Sequence, residues 1–133
     1  MTPANGGVHT PVQMQKLVFL LDRKLATELG GPHFDFAAYD YGPFDRAVYD
    51  VLRELEQQGL VETLFVNGPR WKKYRTTPQG QRVGEELLQS IGNHAAEAIK
   101  RLSAFVRSLS FAELVSSIYN AYPEMKVNSV FRA

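Results

Sequence analysis

Residues 44–80 constrain the fold more tightly than any other part of the chain. Phe44, Val48, Val51, Leu52 and Leu55 recur at three- and four-residue steps, the period of a helix that buries one face. Arg46, Asp50, Arg53, Glu54 and Gln57 are left to water. This predicts a helix from Pro43 or Phe44 to about Gln58, with Gly59 as its cap. Residues 60–66 are rich in β-formers and predict a strand, and residues 70–76 predict its partner. Asn67-Gly68-Pro69 joins them, because Asn-Gly accepts the positive φ values that a tight hairpin turn demands. Thr77-Pro78 then opens another helix, with a hydroxyl as N-cap and proline at the first helical position.

The flanks fit the same scheme. Thr10-Pro11 starts a first helix, expected to run to about Leu29, where Gly30-Gly31-Pro32 ends it. Its apolar residues Met14, Leu17, Val18, Leu21, Leu25 and Leu29 form a stripe that Phe19 and Leu20 widen, so it is expected to be buried on more than one side. In residues 33–41, Phe34 and Phe36, then Tyr39 and Tyr41, alternate in two registers, predicting a short strand with one irregularity. Gly42-Pro43 reads as a switch from strand to helix. After Pro78, Val83, Leu87, Leu88 and Ile91 carry a helix that Gly92-Asn93 interrupts; Ala95, Ile99, Leu102, Phe105, Val106 and Leu109 carry the next. Ser110, with Glu113 three residues on, forms a capping box for a last helix that ends at Tyr122-Pro123.

The expected fold is a single α+β, mostly helical domain over residues 10–133: a winged helix-turn-helix-like unit (helix, short strand, helix, β-hairpin wing) followed by C-terminal helices at about 79–122 and a short tail. Residues 1–9 are expected to be a flexible leader. One difficulty is that a full helix-turn-helix needs a second helix where the aromatic segment lies.

Composition narrows the function. The chain of 133 residues carries fifteen basic and fourteen acidic side chains, a net charge of +1 that gives no global pull toward nucleic acid or membrane. Absence of cysteine excludes disulfides, thiolate zinc sites and thiol nucleophiles. The apolar run from Leu17 to Leu21 is far too short to span a bilayer, and the polar start does not resemble a secretory signal, so a cytoplasmic location is expected. His9, His33 and His94 stand apart, and none forms a zinc motif; His33 and Asp35 share a strand face but read better as a surface turn. The expectation is a protein that is not an enzyme, with no catalytic, cofactor or metal residues.

The strings "VLRELEQQGLVE" and "RWKKYRTTPQG" resemble winged-helix regulators of the PadR and MarR type, whose wing closes with a Y-x-x-T-x-x-G segment matched by Tyr74, Thr77 and Gly80. The resemblance covers a little over a quarter of the chain and implies a winged-helix fold. A longer one, through "MQKLVFLLDRK", "FDFAAYDYGPFDRAVYDVLRELEQQGLVE" and "SFAELVSSIYNAYPEMKVNS", is to the Panacea (SocA-like) and YwgA-like prokaryotic proteins, matched at Gln15-Lys16-Leu17 and Tyr41-Gly42-Pro43. That resemblance implies antitoxin, adaptor or defence-associated roles.

Candidate contacts follow from local charge. Residues 63–84 hold Arg70, Lys72, Lys73, Arg75 and Arg82 and no acid, a local charge of +5 beside Trp71 and Tyr74. That pattern suits phosphate contact or minor-groove entry; the alternative is a solvated hairpin whose charges protect its edge. The preceding helix is acidic: Asp45, Asp50, Glu54 and Glu56 against Arg46 and Arg53 give −2. Arg46 and Arg53 are candidates to read guanine edges and Tyr49 to touch a base; the alternative is an amphipathic helix with a salt-bridged face. The candidate DNA contacts are therefore Arg46, Tyr49, Arg53, Arg70, Trp71, Lys72, Lys73 and Arg75. Double-stranded DNA is the expected partner, bound by a homodimer; a toxin or defence component is the alternative. Ile99, Leu102, Phe105, Val106, Leu114, Val115 and Ile118 are expected either to build the dimer or to pack on the first helix. Phe34, Phe36, Tyr39, Tyr41 and Phe44 read as core or, less simply, as a ligand pocket. The tail, residues 126–133, reads as an arm that docks on a partner or on the domain itself.

Overall fold

The first helix, α1 (Pro11–Lys24), opens with Thr10: its hydroxyl accepts from the Gln13 amide at 3.2 Å, and the Gln13 side chain accepts the Thr10 amide at 2.8 Å. These contacts come from a computed structural model, which describes residues 7–65 and 72–131. The widened stripe does bury α1 on more than one side. Leu17, Phe19 and Leu20 join a core with Val106, Leu114, Val115 and Ile118, whereas Met14 joins a second core with Val48, Leu52, Val61 and Tyr74.

The helix ends at Lys24 and not at Leu29. Leu25 leaves helical geometry, and the chain loosens into turns in which the Leu29 amide reaches Leu25 O and the Gly31 amide reaches Ala26 O. The cause is Asp22, whose carboxylate accepts the amides of His33 and Phe34 at 2.8 and 3.0 Å and draws the following segment back across the end of the helix.

The aromatic segment folds as a hairpin. Strand β1 (Ala37–Tyr39) pairs antiparallel with β2 (Gly42–Phe44), in register Ala37 with Phe44, Ala38 with Pro43 and Tyr39 with Gly42. Gly42-Pro43 is therefore the second strand of this hairpin and does not start a helix, which corrects the sequence expectation. Next to a two-residue turn the Ala38–Pro43 rung is of the non-hydrogen-bonded kind, so the missing proline N–H costs no ladder bond. Gly42 takes φ +104.

Helix α2 (Arg46–Gln57) begins at Asp45, whose carboxylate accepts the Ala47 amide at 2.9 Å and the Asp35 amide at 2.7 Å. Phe44 lies in β2 ahead of it. Val48 and Leu52 are buried, but Val51, expected inside, is 41% exposed because it sits at the edge of the 48–52–55 line by which α2 packs.

Strands β3 (Val61–Phe65) and β4 (Lys72–Thr76) form the second hairpin, in register from Val61 with Thr76 to Phe65 with Lys72. The expected Asn67-Gly68-Pro69 turn lies outside the described residues, as do Arg70 and Trp71. The free edge of β4 is covered by the chain ahead of α1: His9 donates to Tyr74 O at 3.0 Å and accepts from the Tyr74 amide at 2.7 Å. His9, assigned to the flexible leader, is fully buried.

The Tyr74, Thr77 and Gly80 pattern has a physical basis. Tyr74 is core; the Thr77 hydroxyl donates to Gly59 O at 2.6 Å and accepts the Gly80 amide at 3.0 Å; and a Cβ on Gly80 would lie 1.9 Å from Leu60 O. Only glycine lets the start of α3 (Pro78–Ile91) cross the start of β3 this closely.

Helices α4 (Asn93–Ser108) and α5 (Phe111–Ala121) follow, α5 with the expected Ser110 and Glu113 capping box. Val106, Leu114, Val115 and Ile118 pack on α1 of the same chain. A 3₁₀ turn (Pro123–Lys126) leads into the tail, which docks on its own domain: the Val130 amide and the Ser129 hydroxyl reach Asp40 O, and the Asn128 side chain reaches Ala38 O.

The fold is mostly helical α+β with two separate antiparallel hairpins. Between α1 and α2, where a helix-turn-helix would place its first helix, this chain has the β1–β2 hairpin. Among the described residues no helix is long and apolar enough to cross a membrane.

Candidate functional site

Helix α2 and the β3–β4 hairpin share a core, and the cleft between them is where the candidate contacts converge. Tyr74 and Lys72 alternate onto the face of β4 that meets α2. Tyr74 packs against Val48 and Leu52, while the Lys72 ammonium lies 5.9 Å from the Tyr74 ring centroid. Together with Tyr49, Leu52, Arg53, Glu56 and Thr63 they line a cleft of about 90 Å³. Three candidates from two elements, Tyr49 and Arg53 on α2 and Lys72 on β4, thus meet at one place.

The others lie apart. Arg46 is exposed on the first turn of α2, two turns or about 10 Å along the helix from Arg53 and on the same face, outside the cleft. Lys73 and Arg75 point to the opposite face of the hairpin, and Arg70 and Trp71 are outside the described residues.

The charge available is smaller than a count over residues 63–84 suggests. Arg75 is engaged by Glu62, its cross-strand partner, with Nε 2.7 Å from Oε1. Glu62 stands one residue before that window. On α2, Arg53 lies 3.4 Å from Asp50, and Glu56 enters the cleft itself. Lys72 and Lys73 have no acidic partner among the described residues. Burial pushes the Tyr49 phenol above its usual range, an effect that a hydrogen bond from the Gln15 side chain partly offsets.

Sequence reasoning missed the polar groups that hold α2 in place. Gln15, 1% exposed, donates to Asp45 O and accepts the Asp45 amide, both at 3.0 Å, so it grips both sides of the residue that caps α2. Lys16, 4% exposed, donates to Pro43 O at 3.3 Å, and burial lowers its pKa to about 8. The available signal was two polar residues between Met14 and Leu17 on a helix apolar on several sides. They are also two of the positions that carry the Panacea-like resemblance, and Gly42 lies close enough that a Cβ there would sit 3.6 Å from the Lys16 stem.

His9 is similarly unannounced. Its Nε2 lies 3.2 Å from the Ser103 hydroxyl, and burial, reinforced by the charge of Arg107, lowers its pKa to about 4. His33 is separate from Asp35: its Nε2 meets Leu29 O at 2.7 Å, while the Asp35 amide meets Asp45. Of the aromatic residues expected in the core, Phe34 and Phe36 are half-buried, in contact with each other and Phe36 with Phe19, and Phe44 is half-buried against Tyr39; Tyr39 and Tyr41, at 55% and 43% exposed, lie on the surface, which corrects the expectation for those two.

Comparison with protein-family models, curated proteins and solved structures finds no match for this chain.

Proposed function

We propose that this chain is a winged-helix-like DNA-binding regulator, acting in the cytoplasm as a dimer and not as an enzyme. In this reading α2 faces a groove and the β3–β4 hairpin grips the backbone. The observation that carries it is the convergence of Tyr49, Arg53 and Lys72 on one cleft. A phosphate beside that cleft would meet a lysine and an arginine from two elements whose relative position a shared core fixes. Lys73 serves the same strand from its other face, and Arg46 extends the α2 contact along the groove. The sequence resemblance to PadR- and MarR-type regulators supports the same reading.

The test is neutralisation of the wing. In Lys72→Gln/Lys73→Gln, affinity falls by the same factor for every duplex, and the slope of log affinity against log salt flattens by up to about 2. Unchanged affinity would remove the wing from the interface.

A second reading, a protein-interaction module of antitoxin or adaptor type, is favoured by the ion pairs. Arg53 with Asp50 and Arg75 with Glu62 engage two of the expected DNA contacts, one base reader and one phosphate contact, internally and leave α2 acidic. Salt-resistant, stoichiometric binding of a protein partner together with no affinity for DNA would select it.

A further inference from the structure

We infer that the groove between the end of α1 and the outer face of α4 is a docking surface for an acidic amphipathic helix of a partner protein. Leu25, Ala98, Leu102 and Phe105 form its apolar floor, Lys24 and Arg101 flank it, and it encloses about 330 Å³, within the size range of ligand-binding clefts. Ala98, Leu102 and Phe105 stand at i, i+4 and i+7, a stripe two turns or about 10 Å long, which matches the apolar spacing of a docked helix. Of this stripe, Ala98 and Leu102 are half-buried against neighbouring cores, and Phe105 is the residue that packs on neither. Ile99, Ser103 and Val106 on its other side are buried, whereas Phe105 is 46% exposed. A half-exposed phenylalanine beside an open apolar floor is surface that a partner would remove from water.

Charge identifies the occupant. Among the described residues neither Lys24 nor Arg101 has an ion pair or hydrogen-bond partner. Arg23, the residue before Lys24, shows the contrast: it lies 3.4 Å from Glu124 and stacks over the Phe19 and Tyr122 rings. Two unpaired cations beside an apolar floor complement a helix that is apolar on one face and acidic along its flanks. An arginine and an aromatic side by side are also the residue types that dominate binding energy at interfaces. Lys24 and Arg101 would each attract a phosphate too, but the apolar floor between them rewards an apolar helix face and gives a nucleic-acid backbone nothing, which favours the amphipathic helix. The groove also rests on a core of its own, Leu25, Leu88, Ala96 and Ile99, separate from the one beneath the α2–hairpin cleft, so this inference does not depend on the DNA reading.

The experiment uses the full chain and two dye-labelled helical peptides of about 15 residues. Both carry the same Leu/Phe face; one has Glu on its flanks and the other Lys. Fluorescence anisotropy is expected to show the acidic peptide binding at least about tenfold tighter at low salt, a preference that shrinks as salt screens it. Lys24→Glu/Arg101→Glu reverses the preference, and Phe105→Ala weakens the acidic peptide by about tenfold. All three side chains are exposed, and the variants are expected to keep wild-type circular dichroism and melting behaviour. Binding of neither peptide, equal binding of both, or undiminished binding by Phe105→Ala would overturn the proposal. So would sedimentation showing a second copy of this chain in the groove, with Phe105→Arg releasing the monomer.

Discussion

Lys16 is the residue whose position is hardest to justify by stability alone. It is an ammonium in the core with one carbonyl partner, and its pKa of about 8 against an ordinary 10.5 means that the folded state prefers it neutral. Between those values the unfolded chain binds more protons, so stability rises with pH there and carries the full penalty below pH 8. Lys16→Met keeps the apolar stem and removes the charge, at the cost of the bond to Pro43 O. It is expected to be about 2 kcal/mol more stable at pH 7, a gap that closes as pH rises toward 10.5, in urea unfolding followed by fluorescence. His9 runs on the acid side. Its folded pKa of about 4 lies below the ordinary 6.5, so its contribution is complete above pH 6.5 and lost as pH falls toward 4. Wild type should lose on the order of 3 kcal/mol across that window in excess of what His9→Gln loses, with the strap over β4 loosening as the imidazole charges. Parallel pH profiles for the two proteins would show that His9 does not titrate in the folded chain as argued.

At the scale of elements, local signals were read well and non-local ones were not. Thr10, Thr77 and Ser110 cap helices as expected, because a cap is decided by a few neighbouring residues. Both strands of the β3–β4 hairpin were legible from their β-formers. The β1–β2 hairpin was hidden because Gly42-Pro43 resembles a breaker, and its pairing depends on which rung the proline occupies. The end of α1 was hidden because Asp22 sets it by capturing amides eleven and twelve residues away. Of the candidate site, Tyr49, Arg53 and Lys72 line one cleft, but no composition window showed that Glu62 lies across from Arg75. That pair carries its own prediction. Both side chains are about 40% exposed, so Glu62→Gln should change stability by less than about 1 kcal/mol. It frees Arg75 for phosphate, and in a DNA-binding protein it is expected to tighten binding and steepen the salt slope by about 1. An unchanged slope would place Arg75 outside the interface.

For the molecule as a whole, α1 is the partition. One side of it supports α2 and the β3–β4 hairpin with their cleft; α4 and α5 pack on the other, and the α4 groove opens beside its end. Gln15 and Lys16 reach from α1 to Asp45 and Pro43, so the orientation of α2 against its hairpin is set from within this partition. The central claim is that the cleft side faces DNA. The most direct test is fluorescence-anisotropy titration of the wild-type chain against random-sequence and upstream-region duplexes, at low and at physiological salt. The account predicts salt-dependent binding to both, tighter for a cognate upstream duplex; no binding to any duplex at low salt would contradict it.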